Sequence, residues 1–163
     1  MKNQLRVCII LLFILNGCVS VKLASDKPTK ANDLTYTLPE KPFAKIESPN
    51  SDAAWVSDSL GNTISYLSEC QLNSELTIDQ IESESFSIIN ELQILESKQI
   101  EYNQREAKQT TAQGKVDGVM IKIQLLSFKK NNCNFVLSYI GVAKNFDKEI
   151  NLFDKFKQSF TVK

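Results

Sequence analysis

The chain contains no histidine among its 163 residues. Histidine is the side chain whose charge changes nearest to neutral pH, and it is the commonest metal ligand. Its absence excludes histidine-dependent catalytic triads and zinc sites with a histidine ligand. Serine is frequent, but no serine lies in a G-x-S-x-G motif, and the glycine-rich motifs that bind nucleotide phosphates are missing as well. We therefore expect no enzymatic activity, no catalytic residue and no cofactor.

The chain also has no excess of positive charge, because it contains 19 basic and 19 acidic side chains. Only two of the basic residues are arginines, Arg6 and Arg105. Nucleic-acid binding needs a concentrated basic surface, so the composition argues against a nucleic-acid partner. Cysteine is scarce, and the few thiolates have no histidine and no suitably spaced carboxylates beside them, so we predict no metal site.

The first seventeen residues have the layout of a secretory signal peptide. A head with two basic and no acidic side chains precedes the apolar run Val7–Leu15. This run is too short to span a membrane, which takes about 20 residues. It ends at Leu15-Asn16-Gly17-Cys18, which resembles the lipobox of bacterial lipoproteins.

The lipobox resemblance implies that residues 1–17 are removed and that Cys18 is lipidated, which anchors the chain to a membrane. Two or more acyl chains hold a protein stably at a bilayer. In enteric bacteria an aspartate after the cysteine retains lipoproteins at the inner membrane, and this chain has Val19 and Ser20 there. In a Gram-negative host the resemblance therefore implies the periplasmic face of the outer membrane. An ordinary secretory signal and an uncleaved anchor are the alternatives.

Residues 18–40 are rich in lysine, serine, aspartate, threonine, asparagine and proline and show little apolar periodicity. Such a composition buries too little apolar surface to offset the entropy of ordering the chain. We predict a flexible tether over 18–40, with a first short strand possible around Leu34–Leu38, and a single domain over 41–163.

Alternation of apolar and polar residues predicts most of the domain's strands. Ala53–Val56 and Asn62–Ser68 alternate around a turn at Asp58–Gly61, which indicates a hairpin. After the first helix, the same alternation predicts four more strands. Tight turns are expected between them near Asn103, at Asp117-Gly118 and at Lys130–Asn132. The four strands cover Ile94–Tyr102, Glu106–Val116, Val119–Leu125 and Cys133–Tyr139.

Two helices are predicted from apolar residues at helical spacing. Thr77 and Gln80 fit a capping box, and the apolar pattern that follows predicts a helix over 77–92. The last twenty residues form the second predicted helix, whose apolar face carries Phe146, Ile150, Phe153, Phe156 and Phe160. The whole order predicts an α+β fold, an antiparallel sheet with one solvated face and two helices covering the other.

This element order, with Trp55 in the first hairpin and an aromatic last helix, resembles the Mog1/PsbP-like family of α/β sandwiches over about residues 36–163. Well-known members of that family bind protein partners and assist assemblies without doing chemistry. The resemblance therefore implies a non-catalytic binding or assembly module with a protein partner at the cell envelope. The alternative is a carrier of a small apolar ligand, held between the sheet and Phe153 and Phe156 of the C-terminal helix.

The remaining candidates are cysteines and carboxylates. Cys70 ends one predicted strand and Cys133 begins another, and the compartment permits oxidation, so we predict a Cys70–Cys133 disulfide, with two free thiols as the alternative. Acidic residues cluster on and before the first helix. A catalytic carboxylate pair is one interpretation of this cluster. We expect them, like the charged residues of the last helix, to form solvated helix faces. The acidic set is Glu75, Asp79, Glu82 and Glu84, and the last helix carries Asp147, Lys148, Glu149, Asp154, Lys155 and Lys157.

Overall fold

The structure is a computed structural model that describes residues 28–71 and 76–163. The predicted signal peptide, the lipobox with Cys18, the start of the tether and Glu75 lie outside the described residues. The elements in chain order are β1 (Leu34–Thr35), β2 (Phe43–Ile46), β3 (Ala53–Ser57), β4 (Thr63–Cys70), α1 (Ile78–Phe86), β5 (Asn90–Tyr102), β6 (Arg105–Val116), β7 (Val119–Lys130), β8 (Cys133–Val142), α2 (Ala143–Phe146), α3 (Ile150–Ser159) and β9 (Thr161–Val162).

Seven strands form one antiparallel sheet in the order β2-β3-β4-β8-β7-β6-β5. The strands β5 to β8 are joined by two-residue loops at Asn103-Gln104, Asp117-Gly118 and Asn131-Asn132. All six loop residues have positive φ values between 49° and 79°. This backbone matches the twist of the flanking strands and favours asparagine, aspartate and glycine. The predicted α+β class with an antiparallel sheet is therefore confirmed.

The predicted placement of two helices on one face of the sheet is wrong, and the sheet makes up more of the fold than predicted. Phe86 of α1 packs with Ile123 and Leu125 on one face, whereas Phe153 of α3 packs with Leu137 of β8 on the other. The central strands carry apolar side chains on both faces, so each face needs its own cover. The result is a central sheet between helices.

The first helix ends earlier than the sequence pattern predicts. Its capping box is present, because Thr77 and Gln80 each accept a hydrogen bond from the other's backbone N–H. The helix stops at Phe86, and Ile88 is 72% exposed in the turn that follows. Residues from Asn90 onward pair with β6, so hydrogen bonding within the sheet replaces the last predicted helical turn.

The C-terminal segment is interrupted where one helix was predicted. It consists of α2 and α3, and β9 follows Phe160 and pairs with β1. Tyr36, which the sequence analysis assigns to the tether, packs edge-on against the Trp55 and Phe156 rings at 5.8 and 5.6 Å. Part of the segment before residue 41 thus packs against the domain, while residues 18–27 lie outside the described part.

Cys70 and Cys133 form a disulfide bond, as the sequence analysis predicted. The two residues are directly opposite each other, at the end of β4 and the start of β8. Thr29 forms an isolated bridge with Cys70 on the other side. The bond therefore lies where the described chain begins, at the end of the sheet where β7 turns into β8.

Candidate functional site

The candidate site is a groove of about 410 Å³ between α1 and the sheet. We call it the α1 groove; its wall is the C-terminal end of α1 and its floor is the sheet from β2 across β4 and β8 to β7. It exists because α1, at nine residues, is too short to cover the whole face. The lining residues are Ile46, Ser48, Asn50, Ser51, Ala54, Thr63, Ser65, Leu67, Glu84, Ser85, Ser87, Ile88, Ile123, Leu125, Val136, Ser138 and Ile140.

Strand register sets the floor of the groove. Leu67 pairs with Val136 across β4 and β8, and Thr63 pairs with Ile140 on the same face. Since side chains alternate between the faces of a strand, these residues point away from the aromatic core under α3. Ile123 and Leu125 continue the apolar floor toward α1, while Ile46 and Ile88 lie at its open sides and are 40% and 72% exposed.

Hydroxyl groups are the main polar groups of the groove. Ser65 and Ser138 share a 2.6 Å hydrogen bond across the floor, and further serines lie around the rim. Glu84 is the single charged residue among the described residues that line the groove, and none of these is a lysine or an arginine. The groove is thus suited to an apolar target that is uncharged or positively charged, and unsuited to an anionic group.

Helix α1 is fixed to the sheet by an ion-pair cluster beside the groove. Lys108 of β6 donates to Asp79 Oδ1 at 2.8 Å and lies 2.6 Å from Glu82 Oε2. Hydrogen bonds to Asp79 and then to Glu82 raise the pKa of Lys108, so the amine stays charged. Glu82 is buried, contrary to the solvated face expected for it, whereas Asp79 is exposed and Glu84 lies at the groove. Asp79 and Glu82 therefore hold α1, the wall of the groove, to the sheet through Lys108.

The space between the sheet and α3 is filled by side chains. Phe153, Phe156 and Phe160 are 0 to 2% exposed. Phe153 stacks on Tyr139 at 5.6 Å, and Phe156 contacts Trp55 at 5.5 Å. These aromatic side chains belong to the hydrophobic core. The carrier alternative places a ligand between the sheet and the C-terminal helix, and the packed side chains leave no space for it there.

Two charged residues of the C-terminal segment are buried, contrary to the solvated face predicted for them. Glu149 accepts hydrogen bonds from Ser57 and Ser59 at 2.9 and 3.0 Å, and from Asn62 Nδ2 at 2.8 Å. These neutral donors replace the water that the carboxylate loses. Gly141 lies against the same cluster, because a Cβ there would be 1.9 Å from Asn62 Oδ1.

Lys157 is the second buried charge and holds α3 to the sheet. Its amine donates to Gln109 and Gln124, each at 2.9 Å, and lies 2.8 Å from Asp154. Tyr102 adds a 2.6 Å hydrogen bond to the Lys157 carbonyl, and burial raises the pKa of this tyrosine well above its usual range. Both buried charges are thus structural, and they stabilise the face opposite the α1 groove.

Other features of the described residues are weaker candidates, because three other depressions are smaller or less apolar than the α1 groove. No group of three cysteine, aspartate or glutamate residues within them could hold a metal ion. A depression of about 520 Å³ at the tip of the β5–β6 hairpin is wide open and is lined by charged and amide side chains, with Ile100 as its one apolar residue. Within residues 28–71 and 76–163, no helix is long and apolar enough to cross a membrane.

The fold and groove together define a small α+β sandwich with an apolar groove on one face of its sheet. No protein-family model and no curated protein matches the chain. Several solved structures match its fold. LpqN of Mycobacterium tuberculosis, described as involved in cell envelope biogenesis, has a TM-score of 0.60 and 10% identity over 85% of this chain and 87% of its own.

Two further structures match at similar levels. CyanoP, the cyanobacterial PsbP of Synechocystis, has a TM-score of 0.54 and 11% identity over 91% of this chain and 99% of its own. A protein from Bacteroides thetaiotaomicron has a TM-score of 0.53 and 11% identity over 84% of this chain and 48% of its own. The chain therefore has a PsbP-like fold, and the fold part of the predicted resemblance is confirmed.

Proposed function

We propose that this protein is a non-catalytic binding module of the cell envelope, held to a membrane by lipid on Cys18. The observation that supports the proposal best is the α1 groove, whose apolar floor lies open beside exposed Ile46 and Ile88. Contiguous exposed apolar surface marks binding sites in folded proteins. The absence of histidine from the sequence supports binding over chemistry. The envelope role stated for LpqN, which shares the fold, agrees with the location.

The described chain begins near the α1 groove, which fits a groove that binds its target close to a membrane. Lys30 lies 3.2 Å from Asp52, the sequence neighbour of Ser51 in the groove lining. The ten residues from Cys18 to Lys27 precede the described structure. Ten residues span at most roughly 35 Å when fully extended. A lipid on Cys18 would therefore keep the α1 groove close to the membrane surface, at the periplasmic face of the outer membrane in a Gram-negative host.

The first candidate target is an apolar segment of an envelope protein partner. Ile46 of β2 and Ile88 after α1 line the groove and are exposed, which suits an extended or helical segment laid between them. A carrier of a small apolar ligand is the second candidate. Its supporting observation is the groove volume of about 410 Å³, because ligand pockets commonly enclose about 300–1,000 Å³.

Replacing the two exposed groove isoleucines tests the site. We expect Ile46→Ser/Ile88→Ser to bind N-phenylnaphthylamine, an uncharged apolar dye, at least tenfold more weakly, because both side chains would be buried against it; tenfold corresponds to about 1.4 kcal/mol. Fluorescence titration of the unlipidated chain from residue 19 measures this. Folding should change little, since both residues are exposed.

Leu38→Ser is the matched control, because Leu38 is 63% exposed and lies outside the groove lining. It should bind the dye as the unmodified chain does. Equal binding by the groove variant, or an equal loss in the control, would remove the groove as the site.

A photo-crosslinking residue at position 88 then distinguishes a protein partner from a small apolar ligand. Adducts with one envelope protein indicate a partner, whereas a small bound mass in native mass spectrometry indicates a carrier.

A further inference from the structure

Two central strands of the sheet, β4 and β8, carry half-exposed side chains on the face that they share with α1. Three facing pairs on these strands belong to the floor of the α1 groove, and every member is only partly buried. The pairs are Thr63 and Ile140, Ser65 and Ser138, and Leu67 and Val136. The alternate residues of the same strands, such as Ile64 and Leu137, are fully buried on the other face. The two strands are therefore well covered on one face only.

Helix α1 lies over the two neighbouring strands, β6 and β7. Phe86 packs with Ala112 of β6 and Ile123 of β7, and Lys108 of β6 pairs with acidic residues of the helix. Helices that pack side by side have axes roughly 8–10 Å apart, and neighbouring strands are about 4.8 Å apart. Two strand spacings therefore match one helix spacing. A second helix beside α1 would lie over β8 and β4, directly on the half-exposed pairs.

The uncovered strip over β4 and β8 has the dimensions of a short helix. Thr63 and Leu67 are four residues apart on β4, which is roughly 14 Å of strand, and about nine helical residues cover that length. Helix α1 itself has nine residues. The middle pair, Ser65 and Ser138, is small and already shares a hydrogen bond, so it leaves space for larger side chains of a helix. An amphipathic helix would therefore fit the strip.

One carboxylate of α1 is available for a contact with a bound helix. Asp79 and Glu82 pair with Lys108. Glu84 is exposed on the groove wall, and it forms no ion pair within the part of the chain that the structure describes. Opposite charges across an interface favour the partner that carries them, and like charges disfavour a partner. A helix laid beside α1 would therefore gain from a lysine or an arginine that faces Glu84.

We propose that the α1 groove binds an amphipathic helix of a partner protein, laid beside α1 over β4 and β8, with a basic residue facing Glu84. This inference rests on the function proposed for the groove and names the chemistry of its partner. Apolar side chains of the helix, at the spacing typical of helices bound in grooves, contact Leu67, Val136 and Ile140. Glu84 is then the residue that selects the partner by charge.

Two model peptides test the charge of the partner. The basic probe is an acetylated and amidated peptide of about 14 residues, with leucines at helical spacing and lysines beside them. The acidic probe has glutamates in place of the lysines. Calorimetric titration of the unlipidated chain from residue 19 should show that the basic probe binds more tightly, by about threefold or more at low salt. The preference should vanish in Glu84→Gln and reverse in Glu84→Lys. Glu101→Gln is the matched control, because Glu101 is exposed and lies outside the groove lining, and it should keep the preference.

A proline in the middle of the basic probe tests whether the bound segment is a helix. Proline breaks a helix interior, so this probe should bind about tenfold more weakly or worse. Unchanged binding of the proline probe, equal affinities of the basic and acidic probes, or a preference that Glu84→Lys does not reverse would each overturn the proposal.

N-phenylnaphthylamine separates failure of this inference from failure of the groove. If the dye binds in the groove and the basic probe does not bind, the helical partner is wrong and a small apolar ligand remains as the target. If neither binds, the function proposed for the groove is wrong as well.

Discussion

A chain with Cys70→Ala and Cys133→Ala is expected to lose about 4 kcal/mol of unfolding free energy. The disulfide closes a loop across a sequence separation of 63 residues, and opening it restores the conformational entropy of the unfolded chain. Loss on this scale is a large fraction of the stability of a domain of ordinary size. Urea unfolding of the unlipidated chain from residue 19 measures the difference.

Reduction provides the control for the disulfide prediction. Dithiothreitol should lower the stability of the unmodified chain by a similar amount and should leave the double variant unchanged. Equal stability of the two chains without reductant would contradict the prediction, because a closed loop of this length would then have no effect on the unfolded state.

The second large effect is expected at the proposed anchor. Cys18→Ala should abolish incorporation of a fatty-acid probe in cells, because the thiol that would receive the lipid is gone. The leader should also stay on the chain, since in lipoproteins cleavage occurs next to the lipidated cysteine. Probe fluorescence on a gel and the intact mass of the protein measure the two outcomes.

Cys8→Ala is the matched control for the anchor, because Cys8 belongs to the segment that cleavage would remove. This variant should incorporate the probe as the unmodified chain does. Continued labelling of Cys18→Ala would show that the Leu15-Asn16-Gly17-Cys18 sequence does not direct lipidation, and the membrane-anchored role would then lose its basis.

The strands were predictable from sequence because their signals are local. Alternation in Val119–Leu125 and the Asp117-Gly118 turn specify a hairpin within about ten residues. The capping box at Thr77 is also local, and the structure contains it. The end of α1 was not predictable in the same way, because Asn90 and its neighbours join β5 through pairing with a strand more than twenty residues away.

The placement of the helices on opposite faces depends on tertiary packing. In β7, Leu125 and Leu126 both belong to cores, but to different ones. Adjacent apolar residues of this kind signal a strand buried on both faces, and this signal could have indicated that each face has a cover. The order of the elements, with its consecutive hairpins, instead predicts one solvated face for the sheet.

The α1 groove and the buried charges could not be derived from local patterns. The groove requires Ile46 of β2, Val136 of β8 and Ile88 after α1 to meet, and no short motif links them. Glu149 is buried because Ser57, far away in sequence, donates to its carboxylate. In the sequence this glutamate resembles any exposed helical acid. Long-range pairing therefore determines both the candidate site and the exceptions to the predicted solvated faces.

The most direct test of binding in the α1 groove is the isoleucine methyl NMR spectrum of the unlipidated chain, titrated with N-phenylnaphthylamine. The methyl signals of Ile46, Ile88 and Ile140 should shift, because these residues line the groove. Those of Ile64 and Ile150, which pack in the aromatic core on the opposite face, should stay in place. Shifts at Ile64 and Ile150 without shifts at the groove, or no shifts at all, would contradict the account.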